Sequence, residues 1–165
     1  MMNKDSQIVM AQELVDRLSR LGWHISLAES CTGGLAAAGI VDIASASSVF
    51  KESYVTYANE AKIRLLDVSA DTIARHGVVS ESVAGQMAAG AAKKAAAQVG
   101  VGISGIAGPS GGTVEKPVGT VCFGFYIDGV VYTKTVRFGE IGRNAVRQAS
   151  VDFAYRTLLE LLPTK

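Results

Sequence analysis

The sequence predicts an α/β protein, a three-layer α/β/α sandwich built on a mixed sheet. Three observations lead there. Helix-like stretches, with apolar residues at three- and four-residue steps, alternate with short β-branched runs over the first hundred residues. Asp128-Gly129 separates two alternating runs late in the chain, a hairpin signal that adds an antiparallel pair to the sheet. A β-like run over 23–27 passes into a helix-like run over 35–43 through Ala28-Glu29-Ser30-Cys31-Thr32-Gly33-Gly34. Such a strand-to-helix turn lies at the carboxyl end of a sheet, where α/β proteins bind ligands.

Composition bounds the class. The 165 residues are 48% hydrophobic and 19% charged, which suits one domain over 1–165 with a sizeable core and excludes disorder. The net charge of +1, with both signs interspersed, gives no nucleic-acid groove. Two cysteines, Cys31 and Cys122, are too few for a disulfide framework and suit a reducing compartment. No apolar run approaches the roughly 20 residues of a membrane span, and no leader is visible. A soluble cytoplasmic protein is expected.

Each element has a local reason. Val9, Leu14, Val15, Leu18 and Leu21 form one face of a helix over 7–21, and Gly22 stops it. The run 23–27 is the first strand. Ser30 or Thr32 is the expected cap of the small-residue helix over 35–43, whose free amides suit an anion or oxyanion. Residues 44–48 are a turn-rich connection, and the alternation over 50–57 predicts a strand. Asn59, Ser69 and Ser80 are expected to cap helices over 60–66, 70–75 and 81–98, with Gly77 ending the second. A buried strand over 99–104 enters the glycine-dense loop 105–112, which extends to Pro117. Strands over 118–127 and 130–138 flank the hairpin turn. A last helix over 143–162 turns Val146, Ala149, Phe153, Leu158 and Leu161 inward.

Several chemistries fail on context. Gly100-x-Gly102-x-x-Gly105 matches a dinucleotide fingerprint but lies within a strand and does not open a helix. No Walker sequence or nucleophile elbow is present. His24, His76, Cys31 and Cys122 lack metal-ligand spacing. Ser48-x-x-Lys51 would need a helix, and this lysine enters an alternating strand.

What remains is serine chemistry with few bases. A histidine base would have to be His24, at the start of the first strand, or His76, before a helix stop. A lysine can serve if it loses its proton near neutrality. Lys62 lies three residues after Asn59, in a first helical turn whose dipole disfavours a cation. The alternative for Lys62 is an ordinary surface lysine outside the core.

Six stretches then occur in order: 28–34, Val55-Thr56-Tyr57-Ala58-Asn59-Glu60-Ala61-Lys62, Gly77-Val78-Val79-Ser80-Glu81, Ser104-Gly105-Ile106-Ala107-Gly108-Pro109 with Gly111-Gly112, Lys116-Pro117-Val118-Gly119-Thr120-Val121, and Arg143-x-x-Val146-Arg147. Together, over roughly residues 8–162, they resemble the CinA C-terminal domain family, the nicotinamide-nucleotide amidases. The resemblance implies hydrolysis of nicotinamide mononucleotide to nicotinate mononucleotide and ammonia, in pyridine nucleotide salvage, by a serine–lysine mechanism without metal or other cofactor. Larger members carry an additional N-terminal domain, for which this length leaves no room.

Position by position, the resemblance makes Ser30 the nucleophile, Lys62 its base and Tyr57 a hydrogen-bonding partner. Amides near Thr32 and Gly33 are expected to serve the oxyanion, and Gly34 is expected to bind substrate beside them. The loop from Ser104 through Gly105 and Gly108 is expected to cradle phosphate or ribose. Arg143 and Arg147, one turn apart, are expected to clamp the phosphate, the alternative being a solvated helix face. A nucleotide substrate and a homodimer or higher homo-oligomer are the expected partners, with neither membrane nor nucleic acid. Two other classes stay open: a nucleotide-binding module without hydrolysis, and a regulatory protein of competence or DNA-damage responses.

Overall fold

In a computed structural model, which describes residues 4–164, helix α1 (Lys4–Leu21) leads into strand β1 (Ile25–Glu29) and helix α2 (Leu35–Val41). Strand β2 (Tyr54–Val55) and helices α3 (Asn59–Leu66), α4 (Ala70–His76) and α5 (Glu81–Lys94) follow. Strands β3 (Val99–Gly105), β4 (Thr120–Ile127) and β5 (Val130–Arg137) precede helix α6 (Arg143–Leu161). The five strands form one sheet in the order β2-β1-β3-β4-β5. The first three are parallel, and the hairpin adds two antiparallel strands at one side. The expected mixed α/β/α sandwich is what the chain forms.

One face of the sheet packs on α1, α2 and α6 through Leu14, Leu18, Ile40, Val101, Phe123 and Tyr155. The other face packs on α5 and α3, with Leu66, Val83, Met87 and Ala91 between them. That second layer is very close. A Cβ at Gly100 or Gly102 of β3, or at Gly124 of β4, would run into the backbone carbonyls of Ala88 or Ala84. The spurious dinucleotide fingerprint is therefore a helix-packing surface, where side chains pointing the opposite way (Val99, Val101, Ile103) fill the main core.

The elements depart from expectation at particular places. In α1, Val9 is 66% exposed and Met10 and Ala11 are buried instead. β1 begins two residues later than expected, because its pairing with β3 starts at Ile25 opposite Val99. The expected strand over 50–57 is reduced to Tyr54–Val55 and one bridge between Phe50 and Ile25. There the Ser53 hydroxyl donates to the Leu27 carbonyl (2.8 Å), so a side chain takes the place of a ladder bond. Helix α5 stops at Lys94, with Ala96 in the left-handed region (φ 50°), and an all-alanine run carries no stop signal. In α6, Ser150, Val151, Ala154 and Tyr155 are buried, whereas Phe153 and Leu161 are only half-buried. Ser69 and Ser80 cap α4 and α5 as expected, accepting from the N–H groups of Thr72 and Val83.

Candidate active site

The parallel strands β1, β2 and β3 deliver their carboxyl ends to one edge, and Ser30 is the first residue beyond β1. Its N–H donates to the Ile103 carbonyl (3.0 Å), which continues the β1–β3 pairing and ties Ser30 to the sheet. The turn that follows is held in a way the sequence did not suggest. Neither Ser30 nor Thr32 caps α2; the N-cap is Gly34 (φ 99°), and no side chain caps through it. The fully buried Glu29 carboxylate instead accepts from the N–H groups of Gly34 (3.0 Å), Ala36 (3.1 Å) and Ala37 (2.8 Å). A protein carboxylate thus fills the anion position that a helix start offers. Gly33 donates to the Ser30 carbonyl (3.1 Å), so its amide is also occupied. Among the described residues, the N–H groups of Cys31 and Thr32 donate to no carbonyl or carboxylate.

Lys62 comes to Ser30 from α3, the helix that follows β2. Its Nζ lies 3.2 Å from Ser30 Oγ, 2.6 Å from the Thr56 carbonyl and 3.4 Å from the Tyr57 carbonyl. The whole side chain is buried, among the largest fully buried ones in the protein, which sets aside the alternative of an ordinary surface lysine. Asn59 does not cap α3 either: Ala58 is the N-cap, and Asn59 lines the cavity. Burial lowers the Lys62 pKa, against a smaller opposing effect of the Cys31 thiol. Desolvation, rather than the helix end, is the principal cause. A neutral amine has two hydrogens and one lone pair. Two carbonyls can take the hydrogens, leaving the lone pair for the Ser30 hydroxyl.

Ser30 and Lys62 open into a cavity of about 360 Å³. Tyr57 and Arg143 stand at its rim, and Ser104, Gly105 and Gly108 line the side formed by the loop after β3. The Tyr57 ring is exposed, and its hydroxyl accepts from Arg143 Nη2 (3.1 Å); its carbonyl, not its hydroxyl, faces Lys62. Arg143 Nη1 also donates to the Gly108 carbonyl (2.8 Å), joining loop to helix. The Ser104 hydroxyl donates to the Val78 carbonyl (2.8 Å). At Gly105 a Cβ would lie 2.6 Å from the Val121 side chain, so packing requires that glycine. The two arginines separate. Arg147 does not line the cavity and donates to the carbonyls of Cys31 (3.0 Å) and Thr32 (3.1 Å). Thr32, Gly33, Gly34 and both histidines are likewise absent from the lining.

Three contributors escaped the sequence reading. Glu29 was visible as a carboxylate just before a helix start, a known N-terminal preference. Cys31 lines the cavity, and burial pushes its pKa up to about 11, so it is a neutral thiol at neutral pH. Thr56 acts through its carbonyl, which no side-chain pattern reports. Among the described residues, no group of three His, Cys, Asp or Glu side chains converges as a metal site. No helix among them is long and apolar enough to cross a membrane.

The family model of the CinA C-terminal domain matches residues 7–162. The chain belongs to that family. It is 48% identical over 151 residues to the nicotinamide-nucleotide amidohydrolase PncC of Enterobacter agglomerans, covering 91% of this chain and 92% of that protein. Against the protein of the same name in Escherichia coli K12 the identity is 46%, covering 93% and 94%. It also matches the CinA-like protein of Kosmotoga olearia at 46% identity, covering 90% of this chain but spanning only 37% of that protein. Among solved structures, a competence/damage-inducible protein from Agrobacterium tumefaciens superposes with a TM-score of 0.92 at 40% identity, covering 98% of both chains. A CinA superfamily protein from Escherichia coli gives 0.93 at 34% identity, covering 98% of this chain and 94% of the other.

Proposed function

We propose that this chain is a nicotinamide-nucleotide amidohydrolase that converts nicotinamide mononucleotide and water to nicotinate mononucleotide and ammonia. The observation that carries the reading is the buried Lys62 amine, 3.2 Å from Ser30 Oγ and free of any carboxylate partner among the described ion pairs. An alcohol needs such a base to attack a carboxamide. The relatives named for this activity span most of their own length on this chain, which supports the substrate.

Lys62 takes the Ser30 hydroxyl proton as the oxygen bonds to the carboxamide carbon. The resulting ammonium returns that proton to the amide nitrogen, the C–N bond breaks and ammonia leaves. A water, deprotonated by the same amine, then attacks the Ser30 ester and releases the carboxylate. One proton of that water ends on Ser30, and the other leaves the new carboxylic acid for solvent. The Thr32 and Cys31 amides, which donate to no carbonyl or carboxylate among the described residues, are the donors assigned to the intermediate oxyanion. Arg143, at the rim, is suited to the substrate phosphate, with Tyr57 holding the guanidinium in place. Arg147 is committed elsewhere and is assigned no phosphate contact.

The chain acts, on this reading, as one domain in the cytoplasm; two free buried cysteines support a reducing compartment. A homodimer or higher homo-oligomer is supported by the edge strand β5, where Val130, Val131 and Tyr132 are about half exposed. The reading is tested by measuring ammonia and nicotinate mononucleotide from nicotinamide mononucleotide, with and without a chelator. Matched formation of both, insensitive to chelator, is expected. Nucleotide binding without ammonia would leave a non-catalytic binding module.

A further inference from the structure

The turn carrying Ser30 is held from outside the cavity by an arginine 117 positions later in the chain. Arg147 Nε donates to the Cys31 carbonyl (3.0 Å) and Nη2 to the Thr32 carbonyl (3.1 Å). Its remaining nitrogen Nη1 reaches the Asn144 amide oxygen (3.3 Å), one turn earlier on α6, which steadies the fork. No carboxylate pairs with it among the described ion pairs, and it does not line the cavity. A charged side chain spent wholly on neutral carbonyls needs an explanation beyond a salt bridge.

Peptide planarity supplies one. In a trans peptide the C=O and the following N–H point in opposite directions. The Cys31 carbonyl shares its peptide with the Thr32 N–H, and the Thr32 carbonyl shares its peptide with the Gly33 N–H. Pulling both carbonyls toward α6 therefore aims both N–H groups away from α6. The Gly33 N–H meets the Ser30 carbonyl (3.1 Å) and closes the turn. The Thr32 N–H donates to no carbonyl or carboxylate among the described residues, and its neighbour Cys31 lines the cavity, although Thr32 itself does not.

We propose that Arg147 is a positioning residue for the oxyanion site, holding the Cys31–Thr32 peptide so that the Thr32 N–H faces the carbon that Ser30 attacks. The inference rests on the amidase reading for its natural substrate but not for its geometry. A guanidinium suits the task because its rigid fork spans two neighbouring carbonyls, whereas a lysine ammonium would hold them as a single point charge. If the peptide turned over, its carbonyl would face the developing negative charge and one donor would be lost. Removing one oxyanion donor costs roughly 100- to 1,000-fold in turnover.

The test compares wild type, Arg147→Ala and Arg147→Lys in the full chain, with circular dichroism as a check on folding. The first readout is ammonia release from nicotinamide mononucleotide. Arg147→Ala should lower kcat by roughly 100-fold with KM changed less than about twofold, and added guanidinium ion should restore part of the loss. Arg147→Lys should fall between, and it is the variant read if the alanine form does not fold. The pH dependence through Lys62 should be unmoved. The second readout is acetylation of Ser30 by p-nitrophenyl acetate, followed by intact mass and checked against Ser30→Ala, which needs the same oxyanion site but no nucleotide. The same loss is expected there. Arg147-dependent acetylation without ammonia from wild type would remove the amidase reading and keep the positioning role. Wild-type acetylation rates in both variants, or a loss that falls on KM for the mononucleotide and spares the dephosphorylated riboside, would overturn the proposal.

Discussion

Replacing Lys62 probes the base on which the proposed reaction depends. An amine with the ordinary pKa of 10.5 is neutral in only roughly one molecule in 3,000 at pH 7. Burial lowers that pKa, and each tenfold gain in the neutral fraction corresponds to about 1.4 kcal/mol. The fully buried stem and three oxygen neighbours then hold the lone pair on Ser30. Lys62→Ala and Lys62→Met should each lower turnover by roughly 1,000-fold, about 4 kcal/mol of transition-state stabilisation. Lys62→Arg should fail as fully, since a guanidinium keeps its proton. The Ser30→Ala, Lys62→Ala pair should be little worse than either alone, because the two act as one unit. Ammonia release across pH should rise through a midpoint below 10.5 in wild type, and that limb should vanish in the variants. Near-normal turnover by Lys62→Ala, with loss in His76→Ala, would refute the reasoning and transfer the role to a histidine the cavity does not contain.

Three further outcomes follow from the same geometry. Because the folded pKa of Lys62 lies below 10.5, the unfolded chain binds its proton over a window in which the folded chain has released it. Wild-type stability relative to Lys62→Met should therefore rise with pH up to about 10.5; denaturant titrations giving a flat difference would contradict this. Arg143→Ala should raise KM for the mononucleotide by roughly 10- to 100-fold, as loss of a charged hydrogen bond does, and leave the riboside unchanged. Equal losses on both would move Arg143 away from the phosphate. Glu29→Leu orphans three N–H groups at about 1–3 kcal/mol each, so unfolding should be easier by about 3 kcal/mol or more, with Glu29→Gln milder. A denaturation midpoint near that of wild type in Glu29→Leu would mean that water replaces the carboxylate.

The layered architecture was legible because its signals are local. Period-two and period-3.6 apolar patterns and the Asp128-Gly129 turn (φ 44° and 98°) need no partner to be recognised. The Ser30 turn was legible for the same reason. Tertiary choices were not. The strand over 50–57 has the right alternation but lies at the sheet edge, where the Ser53 hydroxyl replaces a ladder bond. Lys62 sits beside polar Glu60 and Arg64 and looks exposed, yet Thr56 and Ser30 draw it inside. Arg143 and Arg147 are equivalent by spacing, and only the packing of α6 against the nucleophile turn separates them. A carbonyl ligand such as Thr56 leaves no trace in side-chain identity at all.

The claim that Ser30 performs amide hydrolysis is tested most directly by ammonia release from nicotinamide mononucleotide, measured for wild type and Ser30→Ala side by side. The account predicts sustained turnover by wild type and a fall of roughly 1,000-fold in Ser30→Ala, with the variant still folded and still binding the nucleotide. Turnover by Ser30→Ala within tenfold of wild type would contradict it.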